Sequence, residues 1–492
     1  VPPRNPTEEV LVPIWSEVLG VEQVGVEDDF FELGGHSLTL PPLVLQIWKT
    51  FGVRLSMKEF FAAPSVAGVA TTLHRIRERP ESRRRASSEP FDQASPEVKD
   101  RFAFLRAQAE LGPDLGLIGE PDVHRGDPAV VFLTGATGFV GAHVLAEWLD
   151  RTAAEVRCLV RAKNLAHGLE RIRRSLVFFG LWKEEHAARV VPVPGDLTLP
   201  SLGLDARGWT SLARETDLVF HNGALVNFIY PYEALRAMNV EGTREVIRLA
   251  FAERTKPLHF VSTVAVLPMG ADRRFQEEGS LDHDLQINMA YDETKWVAEK
   301  MIRHAGARGL PFAIYRPGEV SGQSATGQCI PQHFIYAVIA GSMQLGAMPR
   351  ASCWVDGTPV DYAASAMVHL ARREASLGKT FHIVNPEPAH SSRLHDWAHS
   401  IGYEFDLIPL DEWRERLFAD PDFTKNALYP YTAALEDFHE VHLNFPEFDC
   451  LQLVATATST AGESKDSVER RVWLAAGYGL VQEQTTIVAG EP

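Results

Sequence analysis

Tyr291 and Lys295 stand four residues apart in Tyr291-Asp-Glu-Thr-Lys295, one helical turn, and so share a helix face. An ammonium beside a phenol favours tyrosinate and lowers its pKa, which would fit the phenol to give up a proton near neutral pH. Such a pair arises readily by chance, so its setting must decide. It follows an apolar run ending Val261-Ser262-Thr263, in a chain that carries two further groups with chemical potential. One is the turn Thr134-Gly-Ala-Thr-Gly-Phe-Val-Gly141. The other is Phe30-Phe-Glu-Leu-Gly-Gly-His-Ser37, a serine behind two glycines.

The glycine turn follows an apolar strand, 129–133, and opens a helical stretch, 140–150. Gly135, Gly138 and Gly141 permit a tight turn, close approach to a pyrophosphate and close helix–strand packing. Thr137, Phe139 and Val140 belong to the same cofactor-binding turn. A second strand ends Leu159-Val160-Arg161-Ala162-Lys163. An NAD enzyme presents Asp or Glu there for the ribose hydroxyls. Arg161, with Arg171 nearby, would pair instead with a 2′-phosphate, so NADPH is the expected cofactor. Gly195-Asp196-Leu197 after the third strand is placed at the adenine, and Asn222-Gly223-Ala224 after the fourth lines the cofactor groove.

These residues need a scaffold, and the hydropathy pattern supplies one. Strands at 156–160, 190–193, 218–220, 258–261 and 312–315 alternate with amphipathic segments. That rhythm predicts an α/β Rossmann-like, doubly wound parallel sheet with helices on both faces. Upstream, helical spacing at 6–20, 42–51 and 66–73, with Ser65 as an N-cap, predicts a small bundle without strands. Residues 77–90 are charged and carry Pro and Ser, which marks a linker. The chain divides into 1–76, a carrier bundle; 77–112, a linker whose residues 96–112 could add a helix; 113–320, the NADPH-binding domain; and 321–492, mainly a smaller substrate-binding subdomain.

Gly34 and Gly35 permit tight turns, and a helix N-terminus favours a phosphate ester on Ser37. A plain Ser cap would look the same. The context Asp28-Asp29-Phe30-Phe31-Glu32-Leu33 before it, and Phe60-Phe61-Ala62-Ala63-Pro64-Ser65-Val66 after it, closely resembles the peptidyl carrier proteins of nonribosomal peptide synthetases. The resemblance implies a four-helix bundle with 4′-phosphopantetheine placed on Ser37 by a phosphopantetheinyl transferase. Pro41 and Pro42 fall where that family has helix, so the helix starts later or its first turn is distorted.

Residues 221–243, Tyr291 to Glu299, Arg316-Pro317-Gly318 and Pro359-Val360-Asp361-Tyr362 resemble thioester reductase domains. These are extended short-chain dehydrogenase/reductases that terminate nonribosomal peptide synthetases and also occur in carboxylic acid reductases. The resemblance implies that hydride from NADPH reaches the carbonyl of an acyl or peptidyl thioester delivered by upstream synthetase domains. Tyr291, assisted by Thr263, would supply the proton, with Ser262 left open as the hydroxyl partner. Lys295 would position the nicotinamide ribose, and Pro317 joins the cofactor set. An aldehyde would leave, with further reduction to an alcohol open. Release by Dieckmann-type condensation is the alternative, disfavoured by the intact Tyr291 and Lys295. A carboxylic acid reductase fragment is disfavoured by His36, where that family shows Asp. A docking module with a vestigial nucleotide fold is the third reading.

Composition narrows the field. A net charge of −17 argues against nucleic acid, which needs a clustered basic face. No stretch approaches the ~18 apolar residues of a membrane span, and no secretory leader is expected. Four scattered cysteines argue against zinc and a disulfide framework, so no metal and a reducing, cytoplasmic setting are expected. A start at Val-Pro-Pro reads as a piece of something larger.

Overall fold

Apolar side chains at helical spacing close the N-terminal segment into four helices, α1 (Pro6–Leu19), α2 (Leu40–Phe51), α3 (Met57–Ala62) and α4 (Val66–Arg77). The computed structural model describes residues 1–35, 39–53, 55, 57–77, 96–113, 115–116, 126–228, 230–268, 274–282, 287, 289–330, 333–350, 354–385, 388–432, 435, 447–448, 468–472 and 483–487. Ser37 and residues 78–95 of the expected linker lie outside these. Asn5 accepts from the Glu8 amide at 2.9 Å and caps α1, which stops at Gly20 with φ 66°. Trp15, Phe30, Ile47, Phe60 and Val69 form the bundle core. The prolines of α2 occupy its first turn, where no intrahelical amide is needed, so the helix begins without a break.

Seven strands build the main sheet: β1 (Val130–Thr134), β2 (Glu155–Val160), β3 (Val190–Pro194), β4 (Leu218–His221), β5 (Leu258–Val261), β6 (Phe312–Pro317) and β7 (Lys379–Ile383). Their order is 7-6-5-4-1-2-3 and every pairing is parallel. The pattern is doubly wound, as the alternation of strands and helices requires. Alternate residues of β1 face opposite cores. Val131 and Leu133 pack with α6 (Phe139–Arg151) and α7 (Leu165–Phe178). Phe132 packs with α8 (Ala206–Glu215), beyond which α9 (Tyr232–Arg236), α10 (Gly242–Phe251) and α11 (Ala290–Ala307) follow.

Two expected boundaries move. Residues 96–112 are expected in the linker, but α5 (Pro96–Gln108) is built into the sheet domain. Arg101 pairs with Glu293 of α11, and Phe102 meets Trp296 edge-on at 5.4 Å. The boundary at 320 is crossed again. After α12 (Phe334–Leu345), the chain returns to the sheet as α13 (Val360–Ala371), which packs with α6, and as β7. Only then do α14 (Ser391–Ser400) and α15 (Leu410–Ala419) complete a smaller subdomain around Trp413, Leu417 and Leu428. No described helix is long and apolar enough to cross a membrane.

Candidate active site

The order of the sheet reverses between β1 and β4, and their carboxyl ends part into a cavity of about 650 Å³. That is where doubly wound sheets bind ligands, and the volume suits a small-molecule site. The turn after β1 forms the floor. Gly135 has φ 77°, and a Cβ there would lie 2.8 Å from Cα of Gly223. A Cβ on Gly141 would lie 2.0 Å from the Gly135 carbonyl oxygen, so only glycine lets α6 sit this close. No side chain caps α6 at Gly138, which leaves its first amides to meet an anion. This cradle fits the diphosphate of a dinucleotide.

Thr137, Gly138, Phe139 and Val140 line the cavity with Gly135, and Gly141 packs behind them. Arg161 at the end of β2 and Arg171 on α7 line one end, and the Arg171 guanidinium donates to the Arg161 carbonyl. Asp196, Leu197, Asn222, Gly223, Ala224 and Pro317 line it too. Asp196 accepts from the amide and hydroxyl of Thr198, both at 2.9 Å. Below, the Thr134 hydroxyl contacts His221 Nδ1 at 2.7 Å and accepts the Gly223 amide at 2.8 Å, locking β1 to β4.

Tyr291, Lys295 and Thr263 reach the same cavity from α11 and the end of β5. Lys295 Nζ donates to the Val261 carbonyl at 2.6 Å and lies 4.1 Å from the Phe260 ring centroid. Burial pushes its pKa down to about 7, against a pull upward from Glu299. Tyr291 differs from expectation: its pKa is raised, not lowered. Burial disfavours the phenolate, and neighbouring Asp292 adds to the effect. Desolvation outweighs the lysine, and the phenol is held as a proton donor.

The two hydroxyls after β5 have different surroundings. Ser262 Oγ donates to Glu299 at 2.8 Å in the core. Glu299 and Arg316 form a fully buried ion pair that joins α11 to β6, and Arg316, Arg303 and Ser262 hold the carboxyl at about 2 against burial. Thr263 is therefore the hydroxyl free of the core network; its Oγ1 accepts only the Ala265 amide at 3.2 Å among the described residues.

Several residues here escaped the sequence. Asn239 lies in a π-helical turn, Ala237–Glu241, a feature often found at functional sites. It accepts the Leu225 amide at 2.7 Å and donates to the Leu225 carbonyl at 3.1 Å and to Thr294 at 3.0 Å, pinning the loop after β4 to the helix of Tyr291. Phe228 in that loop meets the Tyr291 ring edge-on at 6.0 Å. Glu319 and His333, 3.1 Å apart, add a polar spot to the opposite wall. Periodicity cannot announce a π turn, although Asn239 lies within the 221–243 stretch quoted above. His143 and His259 have structural contacts, to the Phe139 carbonyl at 2.9 Å and the Tyr315 hydroxyl at 2.8 Å. Among the described residues no group of three His, Cys, Asp or Glu could hold a metal.

Residues 9–73 match the phosphopantetheine attachment site family, and residues 133–367 the family described as male sterility protein. A linear gramicidin synthase of Brevibacillus parabrevis is 37% identical over 426 residues, 85% of this chain and 8% of that one. The terminal R domain of the myxalamid PKS-NRPS pathway is 39% identical, with TM-score 0.70 over 75% of this chain and 94% of that one. An archaeal thiolation-reductase di-domain, 22% identical, has TM-score 0.67 over 94% of both chains and shares the fold. The chain spans less than half the length of the curated relatives it matches.

Proposed function

Because the chain belongs to the carrier and terminal reductase family of the nonribosomal peptide synthetases, we propose that it releases a carrier-bound acyl or peptidyl thioester as an aldehyde. It is an oxidoreductase whose family implies a nicotinamide dinucleotide and a phosphopantetheine arm. The observation that carries the reading is the meeting of Tyr291, Lys295 and Thr263 with the glycine cradle in one cavity. Arg161 and Arg171, with no acidic residue at the end of β2, favour NADPH. Ser37 is the attachment point for the arm, modified by a phosphopantetheinyl transferase and loaded by upstream synthetase domains. The free thiols of Cys158 and Cys329 fit a cytoplasmic setting.

NADPH, when bound, supplies the hydride. The residues manage the oxygen and its proton. Tyr291 donates a hydrogen bond to the thioester oxygen as charge develops there, and then its proton; Thr263 provides a second donor. A phenol whose pKa is raised holds that proton until the carbonyl has become basic. Lys295, tied to the Val261 carbonyl, fixes the cationic end of the site and orients the cofactor ribose. Asn239 keeps the β4 loop and the Tyr291 helix in register. The carbon–sulfur bond then breaks, leaving the carrier thiol and an aldehyde. Val226, Phe228 and Met238 give the cavity an apolar wall for the acyl chain.

The test is mass spectrometry of products from the acyl-loaded chain with NADPH or NADH. Aldehyde or alcohol formed faster with NADPH supports the reading, and their ratio gives the electron count. A cyclised product without cofactor consumption would overturn it in favour of condensation.

A further inference from the structure

The carrier bundle touches the rest of the chain through aromatic side chains at two separate places. Phe31 and Phe61 stack on each other at 5.3 Å and 8°. Tyr230 meets both edge-on, Phe31 at 6.3 Å and Phe61 at 5.6 Å. Phe31 lies in the loop that runs to Ser37, six residues before it. Its neighbour Phe30 is buried and accepts the Gly35 amide at 2.9 Å, so the loop is anchored inward while Phe31 turns toward the reductase. The second place is Trp48 on α2. It meets Phe418 of α15 edge-on at 6.0 Å and packs on the cluster of Leu410, Trp413 and Leu417.

Each contact lies close to a wall of the active-site cavity. Tyr230 is two residues beyond Phe228, which lines the cavity and meets Tyr291. The backbone there is short and tied: Leu225 is held by Asn239, and the Tyr230 amide donates to Asn227 at 2.9 Å. On the other side, Phe334 lines the cavity and packs against the same cluster as Trp48. The two walls come from different parts of the fold, the sheet domain and the smaller subdomain.

We propose that Tyr230 and the Phe418 cluster form a two-point aromatic seat for this chain's own carrier, straddling the mouth of the cavity. The seat aims the attachment loop between the walls, so a tethered acyl group enters without a bimolecular encounter. Its contribution is to proximity, not to the bond-making step. Tyr230 and Trp48 are thus positioning residues for the tethered substrate. The proposal rests on the reductase reading above.

The experiment compares two substrates on the full chain: an acyl group loaded on its own carrier, followed in a single turnover with NADPH, and the same acyl group as a free pantetheine thioester. Tyr230→Ala and Trp48→Ala should each slow the tethered reaction by about tenfold or more and leave kcat and KM for the free thioester within about twofold. Tyr230→Phe keeps the ring and should match wild type. Tethered turnover unchanged in both alanine variants would overturn the seat. So would tethered and free turnover falling by the same factor, since the residues would then only support the fold. An unmutated chain that reduces neither substrate would instead overturn the reductase reading, and the seat with it.

Discussion

Replacing Gly141 with alanine tests the cradle with a magnitude that follows from its geometry. The added Cβ would lie 2.0 Å from the Gly135 carbonyl oxygen, 2.7 Å from its carbon and 2.8 Å from Nδ2 of Asn222. Carbon atoms settle at about 3.5–4.0 Å, and the obstructing oxygen is backbone that cannot rotate aside. The start of α6 must therefore retreat by roughly 1 Å from the turn. Overpacking of this kind costs about 1–3 kcal/mol in stability, which the core around Val144, Leu145 and Trp148 can absorb. Binding suffers more. An amide moved back by roughly 1 Å no longer hydrogen-bonds a phosphate. Losing two such bonds to a charged group, at about 1.5–3 kcal/mol each, weakens NADPH by about two to four decades in Kd. The assay is fluorescence titration with NADPH, with circular dichroism and carrier loading as checks on folding. A folded variant that binds NADPH within about threefold of wild type would refute the cradle.

Other expected outcomes are equally direct. Tyr291→Phe keeps the edge contact with Phe228, so melting and NADPH affinity should hold while kcat falls by about 10²–10⁴; a near-normal kcat would remove Tyr291 from the proton path. Arg161→Ser should cut the NADPH-over-NADH preference by about 10- to 100-fold, read as the ratio of kcat/KM values, and an unchanged ratio would show that the 2′-phosphate lies elsewhere. Arg316→Met strands Glu299 in the core, at about 3–5 kcal/mol near pH 7.5. In the wild type Glu299 is depressed to about 2, so its stabilising share is present above the ordinary carboxyl range and lost as pH falls toward 2. In the variant burial raises it, so protonation relieves the penalty, and denaturant unfolding should show the deficit shrinking between pH 7.5 and 5. A deficit that is constant with pH would mean the charge is not what destabilises the variant.

Much of this molecule follows from local rules that a sequence carries openly. Strands buried on both faces are short apolar runs, and β1 to β6 therefore read directly. Gly135, Gly138 and Gly141 admit few substitutes, because the turn they make depends on the missing Cβ. The spacing of Tyr291 and Lys295 puts them on one face of any helix. Strand β7 escapes such a reading because it comes after an irregular stretch and joins the sheet only by pairing with β6. The beginning of α2 is ambiguous for a related reason: two prolines permit a late start or a first-turn position, and only the bundle's packing selects the latter.

Sequence alone determined the class of chemistry, through residue types and spacings that local backbone geometry converts into sites. Tertiary structure decided what depends on surroundings gathered from distant segments. Whether Thr263 or Ser262 faces the cavity turns on Glu299, thirty-odd residues later, which takes the Ser262 hydroxyl into the core. The pKa of Tyr291 rises because desolvation sums over every wall packed around it, and spacing to one lysine cannot report that sum. The place of the carrier depends on Tyr230 and Phe418, nearly two hundred residues apart, meeting one small bundle. Local geometry is written residue by residue, whereas burial and docking exist only once the chain has closed on itself.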